Sequence, residues 1–172
     1  MNRTLLTGLA AALTLSACGV IPTPPVNIPD VTLDLQSSAA SRGRVIYVRQ
    51  DAFGGASIPK ILQGLSISGD ARYTALTGNL SEVAVYVRTS MPPGCQDLTA
   101  DVAACDPAGE SAQAIGTISL QPGASKGFTL SGPALDEAGR AGHGYFGVRA
   151  VRGDSLTGEQ LRLTSMKARA RF

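Results

Sequence analysis

Hydrophobic and polar residues alternate with a period of two along most of the chain. The runs are short and bounded by Gly, Pro, Ser or Asn, which is typical of β-strands with one buried face. They occupy residues 31–35, 44–49, 65–75, 83–88, 118–120, 128–130, 146–150 and 161–172. The run 44–49 is fairly apolar on both faces, which favours a central strand. Because no helical period is sustained, the pattern predicts an all-β fold: an antiparallel β-sandwich of about 7–8 strands with an Ig- or fibronectin-like architecture.

The last of these runs changes phase. Leu161 and Leu163 share one phase, whereas Met166 and Ala168 share the opposite one. One extra residue near Ser165 would keep both pairs on the core side, which is the effect of a β-bulge. We therefore predict a long, bent terminal strand. Its exposed face carries the basic residues Arg162, Lys167, Arg169 and Arg171. These are either edge-protecting surface charges or part of a contact surface.

Two stretches interrupt the alternation. Met91–Ser111 holds Pro92, Pro93 and two cysteines, and it predicts a long loop. Loops of this length usually have a purpose, so it is a candidate contact surface, with structural decoration as the alternative. Pro133–Gly139 predicts one or two helical turns, with Pro at the first position and Gly at the end.

The N-terminus has a different character. Met1-Asn2-Arg3 is a short basic region, and the apolar run Leu5–Leu15 is too short to cross a bilayer core of about 30 Å as a helix. The four residues Leu15-Ser16-Ala17-Cys18 resemble the lipobox, the processing site of bacterial lipoproteins. The resemblance implies that Cys18 carries a diacylglyceryl thioether, that the chain is cut before it, and that acyl chains hold the protein in a membrane. Gly19, in the place of an Asp, favours the outer membrane of a diderm host, on its periplasmic or surface face.

This resemblance sets the expected domain organisation. Residues 1–17 form the lipoprotein signal peptide, residues 18–30 the acylated cysteine and a Pro-rich tether, and residues 31–172 one β-sandwich domain. The tether Gly19–Pro29 would reach roughly 30 Å at ~3.1 Å per residue in polyproline II form. Removing residues 1–17 leaves 155, which is enough for one domain with its own core.

Two cysteines remain once Cys18 is assigned to the anchor. Cys95 and Cys105 lie in a chain that the resemblance sends to an oxidising space, so a disulfide is the simplest interpretation. It would contribute roughly 3 kcal/mol through loop closure. A metal site is the alternative, because Asp101 and Asp106 lie nearby, but the only histidine is the distant His143.

Charge and motifs argue against several functions. Without residues 1–17 the side chains carry 14 positive and 13 negative charges, so we predict no nucleic-acid partner and no broad basic field for anionic lipid. Gly123–Gly127 matches the Gly-x-Ser-x-Gly elbow of hydrolases, but it lies between two strand runs and predicts a hairpin turn. Ser57–Lys60 matches Ser-x-x-Lys, but Pro59 opposes the helix that this motif requires. His143 would need an orienting partner to act as a general base.

These observations predict a membrane-anchored envelope lipoprotein that acts as a non-catalytic binding or accessory module for a cell-envelope protein. A carrier or sensor of a small apolar ligand or lipid is the alternative, and a hydrolytic enzyme comes third. No cofactor, catalytic residue or metal ligand is predicted. The predicted sites are the lipid attachment at Cys18, the disulfide Cys95–Cys105, and a contact surface of Pro92, Pro93, Arg162, Lys167, Arg169 and Arg171.

Overall fold

The structure, a computed structural model, describes residues 23–35, 41–55 and 63–171. These residues form two antiparallel β-sheets packed against a shared core, which confirms the all-β sandwich. The signal peptide, Cys18, the Ser57–Lys60 motif and Phe172 lie outside the described residues.

The described residues include eleven strands and one α-helix. The strands are β1 (Val26–Asn27), β2 (Val31–Leu35), β3 (Val45–Val48), β4 (Gln63–Thr74), β5 (Glu82–Arg88), β6 (Gln96–Thr99), β7 (Val102–Cys105), β8 (Ala114–Ser119), β9 (Ser125–Ser131), β10 (Tyr145–Arg152) and β11 (Glu159–Arg171). The five-stranded sheet has the order β9–β4–β11, and β1 and β2 both pair with the other edge of β11. The six-stranded sheet has the order β6–β7–β3–β10–β5–β8. Every predicted run forms a strand, whereas β1, β6 and β7 were not predicted.

The main core lies between the sheets, where strands such as β4, β5 and β11 bury one side of their alternation. In β4 the buried side chains are Leu65, Ile67, Ala71 and Tyr73, and in β5 Val83, Val85 and Val87 are buried. Full burial of one aliphatic side chain of this size contributes about 1.5–3 kcal/mol, so the alternation decides which face turns inward. The predicted helical turns form helix α1 (Pro133–Ala141), which packs on this core through Leu135 and ends at Gly142 in a left-handed conformation.

A second apolar cluster covers the outer face of the six-stranded sheet. Tyr47 of β3 and Tyr86 of β5 point away from the main core and pack with Val45, Ala84 and Cys105. β5 is therefore buried on both faces, whereas Ile46 and Val48 on the other face of β3 are half-buried. Since β3 lies between β7 and β10, the prediction of a central strand is confirmed.

The prediction of a long loop at Met91–Ser111 is wrong in part. The middle of this stretch forms the β6–β7 hairpin, and β7 pairs with β3 along its whole length. The strand Val102-Ala-Ala-Cys105 has three consecutive buried residues, so its sequence lacks the alternation that marks a half-exposed strand. The segments on either side of the hairpin do lack strand structure.

The hairpin predicted at Gly123–Gly127 is also wrong. β8 ends at Ser119 in the six-stranded sheet, whereas β9 begins at Ser125 in the five-stranded sheet. The segment between them therefore crosses from one sheet to the other. Gly and Pro reverse the chain equally well in both situations, so local sequence does not distinguish them. Ser125 opens a strand and not a helix, so this segment lacks the geometry of a hydrolase elbow.

The predicted bulge in β11 is confirmed. Ser165 has a φ of 54°, and Ser165 and Met166 together oppose the single residue Gly69 of β4. A β-carbon on Gly69 would lie 2.9 Å from the carbonyl oxygen of Thr164. The bulge therefore requires a glycine in the neighbouring strand.

Part of the expected tether belongs to the sheet. The Thr23 N–H donates to the Ala170 carbonyl and the Ile28 N–H donates to the Met166 carbonyl, each at 2.9 Å. β1 pairs with β11 between these two bonds. The Pro-rich composition correctly predicts an extended backbone, which suits a sheet edge, but residues 23–28 are not a free spacer.

Candidate functional site

The residues predicted as one contact surface lie on opposite sides of the sandwich. Pro92 and Pro93 follow Met91, which packs on the outer face of the six-stranded sheet. The basic residues Arg162 to Arg171 instead lie on the outer face of the five-stranded sheet, where they alternate with buried residues of β11. At ~3.3 Å per residue, the two ends of this basic series are roughly 30 Å apart. The structure therefore does not bring the predicted residues together.

The stretch Met91–Ser111 is fixed at two points. The predicted disulfide is present, with the Cα atoms of Cys95 and Cys105 4.5 Å apart. Glu110 is only 3% exposed, and its two carboxylate oxygens accept hydrogen bonds from Arg88 at 2.9 Å each. The Tyr47 hydroxyl also donates to Glu110, at 2.6 Å. These contacts hold the stretch Met91–Ser111 against the second cluster. They favour a purely structural role for this stretch over a contact surface.

Electrostatics reinforce this fixation. Burial, together with the adjacent carboxylate of Glu110, raises the pKa of the Tyr47 hydroxyl, which therefore remains a donor. The hydrogen bonds to Glu110 raise the pKa of Arg88. A buried carboxylate with a bidentate guanidinium and a hydroxyl partner satisfies its acceptors, so the group is tolerated inside the protein.

Three exposed cations alternate along the last part of β11. We call Lys167, Arg169 and Arg171 the basic strip. Within the described ranges none of the three forms an ion pair. An open depression of about 540 Å³ lies beside the strip, and it is lined by Ser68, Gly69, Asp70, Gly127, Phe128, Thr129, Ser165, Lys167 and Arg169. Its polar lining and its open shape suit a charged surface contact better than an enclosed apolar ligand.

His143 has the orienting partner that the sequence does not reveal. Its Nδ1 lies 2.7 Å from Oδ2 of Asp51. The other oxygen of Asp51 accepts the backbone N–H groups of Gly144 at 2.9 Å and Phe53 at 3.0 Å. Partial burial raises the pKa of Asp51, but these hydrogen bonds outweigh it and lower the pKa to about 2. Because the carboxylate is ionised and only accepts, Nδ1 of His143 carries the proton.

This pair holds two loops together. The backbone continues the same contact, since the Ala52 N–H donates to the Gly144 carbonyl and the Gly55 N–H donates to the Gly142 carbonyl, both at 2.9 Å. The His143 side chain is 53% exposed. Asp136, in the first turn of α1, accepts the Leu65 N–H at 2.6 Å and ties α1 to β4. The described contacts of Asp51 and Asp136 are thus structural.

A buried carboxylate organises one end of the sandwich. We call the loops 75–81 and 153–158 the tip. Glu159, at the start of β11, is fully buried, and its carboxylate accepts hydrogen bonds from both tip loops and from the Tyr73 hydroxyl. The backbone donors are Leu76 at 2.9 Å, Thr77 at 3.1 Å, Gly78 at 2.6 Å and Leu156 at 2.8 Å.

These bonds keep Glu159 ionised. Burial by itself raises the pKa of this carboxyl group, but the hydrogen bonds from the Tyr73 hydroxyl and the backbone amides outweigh it. The pKa of Glu159 is lowered to about 2. Successive backbone N–H groups in a turn form an anion-binding nest, and here the occupant is the protein's own carboxylate.

The tip exposes apolar side chains even though it is tightly held. Leu76 is 69% exposed and Leu156 is 40% exposed. Val151, 47% exposed at the end of β10, lies at the same end of the sandwich. These are three of the five large hydrophobic side chains that are exposed within the described residues. A cluster of such residues on a rigid surface is typical of a protein contact.

The sequence interpretation missed the three carboxylates that hold the loops, Asp51, Glu110 and Glu159. The sequence does contain a sign of one of them. Glu159 shares the buried phase of Leu161 and Leu163, and a carboxylate in a buried position requires hydrogen-bond donors inside the protein. Asp51 and Glu110 lie outside any periodic run, so their partners emerge only from the fold.

The described ranges contain no cluster of three or more His, Cys, Asp or Glu residues that could hold a metal ion. Among these same residues, no helix has the length and hydrophobicity needed to cross a membrane. Comparison with protein-family models and with curated proteins finds no match for this chain.

Proposed function

We propose that the chain is a lipid-anchored envelope protein that acts as a non-catalytic binding module and presents its tip to a protein partner. The observation that carries the proposal is the exposure of Leu76 and Leu156 on loops that the buried Glu159 holds, with Val151 of β10 exposed at the same end of the sandwich. Such a surface loses little conformational freedom on binding, which lowers the cost of association.

The position of Thr23, the first described residue, supports the tip as the surface that faces the partner. Thr23 is bonded to Ala170, near the end of β11, whereas the tip surrounds Glu159 at its beginning. β11 has 13 residues, so these two ends are roughly 40 Å apart at ~3.3 Å per residue. A lipid on Cys18 would hold the domain by the end opposite to the tip. The tip would then face away from the membrane.

The anchor is tested by fractionation. Cys18→Ser should move the protein from the membrane to the soluble fraction, because no acyl chain could be attached. Equally firm membrane retention of this variant would overturn the lipid anchor.

The contact is tested by site-specific photo-cross-linking in cells. A photoreactive residue at Leu76 should capture the same envelope protein repeatedly, and Leu156→Ser in the same chain should reduce the yield. The matched control places the photoreactive residue at Pro93, which is exposed on the stretch Met91–Ser111. Capture from Pro93 and not from Leu76 would assign the contact to that stretch and contradict a contact at the tip.

A further inference from the structure

The backbone of β11 fixes where the N-terminal residues leave the sheet. Thr23 makes three hydrogen bonds to Ala170: its N–H donates to the carbonyl at 2.9 Å, its hydroxyl donates to the same carbonyl at 3.2 Å, and its hydroxyl accepts the Ala170 N–H at 3.0 Å. Only four residues separate Thr23 from Cys18 in the sequence. Even fully extended, five residue steps span at most ~18 Å. Thr23, which is bonded to the end of β11, therefore lies within that distance of the Cys18 backbone.

The basic strip occupies this same end. Lys167, Arg169 and Arg171 are exposed, and side chains two residues apart on one face are separated by ~7 Å. Their partners across the β4–β11 pairing are Ser68, Ser66 and Gln63, which carry no charge. Asp70 is the one carboxylate lining the depression beside the strip, and it forms no ion pair with the strip. The local charge is thus positive although the whole chain is nearly neutral.

We propose that the basic strip binds anionic phospholipid headgroups beside the lipid anchor and so sets the orientation of the domain on the membrane. The contact depends on the anchor proposed above, because three cations alone hold a protein weakly. With Cys18 in the bilayer, the strip is kept within reach of the headgroup layer, and its charge is complementary to that surface. Docking of the strip would bring the Lys167–Arg171 end of β11 to the lipid and keep the tip, at the other end of this strand, away from the membrane.

The test uses a chemical anchor, so it does not depend on whether cells acylate Cys18. In the chain of residues 18–172, which contains every described residue, Cys18 is the single thiol outside the Cys95–Cys105 disulfide. It can be coupled to a maleimide lipid in vesicles of phosphatidylcholine, with or without about a third of phosphatidylglycerol. The protein has no Trp, so Thr129→Trp places one fluorescent reporter in the depression beside the strip. A nitroxide on the lipid headgroup then quenches Trp fluorescence on contact.

We expect the Trp at position 129 to be quenched on vesicles with phosphatidylglycerol and much less on phosphatidylcholine alone. Each cation near an anionic surface changes the docked population about fivefold, so K167Q/R169Q/R171Q should lower the ratio of docked to undocked protein about a hundredfold. The control R42Q/R140Q/R152Q removes the same charge away from β11 and should leave quenching unchanged. Salt near 1 M, where the Debye length is ~3 Å, should abolish the difference between the two lipids.

Equal quenching on both lipids, or quenching that survives loss of the strip, would overturn the proposal. Quenching of a reporter at the tip, Leu156→Trp, with none at position 129, would also overturn it, because the domain would then lie the other way. Failure of the anchor itself is detected separately, since the Cys18→Ser fractionation does not involve the strip.

Discussion

The carboxylate of Asp30 accepts the backbone N–H of Ser165 at 3.1 Å. Ser165 is the bulged residue of β11, and a bulge leaves its amide without a partner in the ladder. Asp30 lies in the short break between β1 and β2, so the interruption in the N-terminal segment coincides with the interruption in β11. The Asp30 carboxylate thus supplies the acceptor that the amide of the bulged Ser165 lacks in the ladder. The strands on either side of Asp30, β1 and β2, pair with the same edge of β11.

Asp30→Ala should loosen the N-terminal segment without unfolding the domain. The bond is exposed, so its loss should cost only about 0.5–1.5 kcal/mol. Hydrogen exchange should accelerate at the amides of Ser165 and Ile28. Asp34→Ala is the matched control, since the Asp34 carboxylate accepts a hydrogen bond from the Gln160 side chain, away from the bulge. Similar acceleration at these amides in both variants would show that Asp30 has no specific role at the bulge.

Gly69 and Gly127 offer a second matched pair on neighbouring strands. A β-carbon on Gly69 would lie 2.9 Å from the Thr164 carbonyl oxygen and 3.1 Å from Phe128, whereas one on Gly127 would meet only Asp70 at 4.0 Å. Gly69→Ala should therefore destabilise the domain by about 1–3 kcal/mol, the usual range for overpacking. Gly127→Ala should change stability by less than about 0.5 kcal/mol. Thermal unfolding of both variants tests this prediction. Equal unfolding midpoints for the two variants would contradict the close packing at the bulge.

The sequence predicted the strands that have one buried face and the bulge that preserves this face. It failed where the alternation was absent for a physical reason. β7 is buried on three consecutive residues, so it has no polar phase. β1 has two residues and lies between prolines. The turn at Gly123–Gly127 has the residues of any tight reversal, and only long-range packing decides that its flanking strands enter different sheets.

The candidate sites were predictable to a smaller degree. The basic residues of β11 follow from its alternation, because charged residues in the exposed phase share a face. The tip does not, since Leu76 and Leu156 are 80 positions apart in the sequence and are held through the carboxylate of Glu159. The partnership of Asp51 with His143 likewise spans 92 positions and requires the β3–β10 pairing to form.

Substitutions of Asp51 and of His143 should lower the free energy of unfolding by different amounts. Asp51→Ala leaves the N–H groups of Phe53 and of the buried Gly144 without an acceptor, which should cost about 1–3 kcal/mol. His143→Ala removes a side chain that is 53% exposed and should cost less than about 0.5 kcal/mol. Chemical denaturation of both variants measures the difference. A larger loss for His143→Ala would show that the imidazole, rather than the carboxylate, holds the loops.

Reduction of the Cys95–Cys105 disulfide should weaken the domain without removing the β6–β7 hairpin from the sheet. The loop it closes spans ten positions, for which chain entropy predicts a loss of about 3 kcal/mol. Glu110 and its bonds to Arg88 and Tyr47 remain to hold the following segment. Denaturation with and without reductant measures the loss, and circular dichroism monitors the strands. Loss of β-structure before unfolding would show that the disulfide, and not the β3–β7 pairing, maintains the hairpin.

Glu159 should control stability in acid. Its pKa in the folded protein is about 2, below its ordinary value of 4.5. A carboxyl group with a lowered folded-state pKa stabilises the protein above its unfolded pKa, and this contribution disappears as the pH falls through the folded value. The free energy of unfolding should therefore decrease between pH 4.5 and pH 2. Asp51, whose pKa is lowered from 3.8 to about 2, adds a decrease between pH 3.8 and pH 2.

Glu159→Gln isolates the contribution of this carboxylate. The amide keeps one acceptor and turns its own donors towards the N–H groups of the tip, so the variant should lose at least about 2 kcal/mol near neutral pH. Its unfolding free energy should also vary less with pH between 4.5 and 2 than that of the parent chain. Glu137→Gln, on the exposed face of α1, is the control and should change neither quantity. If Glu159→Gln retained the full pH dependence of the parent, the carboxylate would not be the group that holds the tip, and the rigidity on which the proposed contact depends would have another origin.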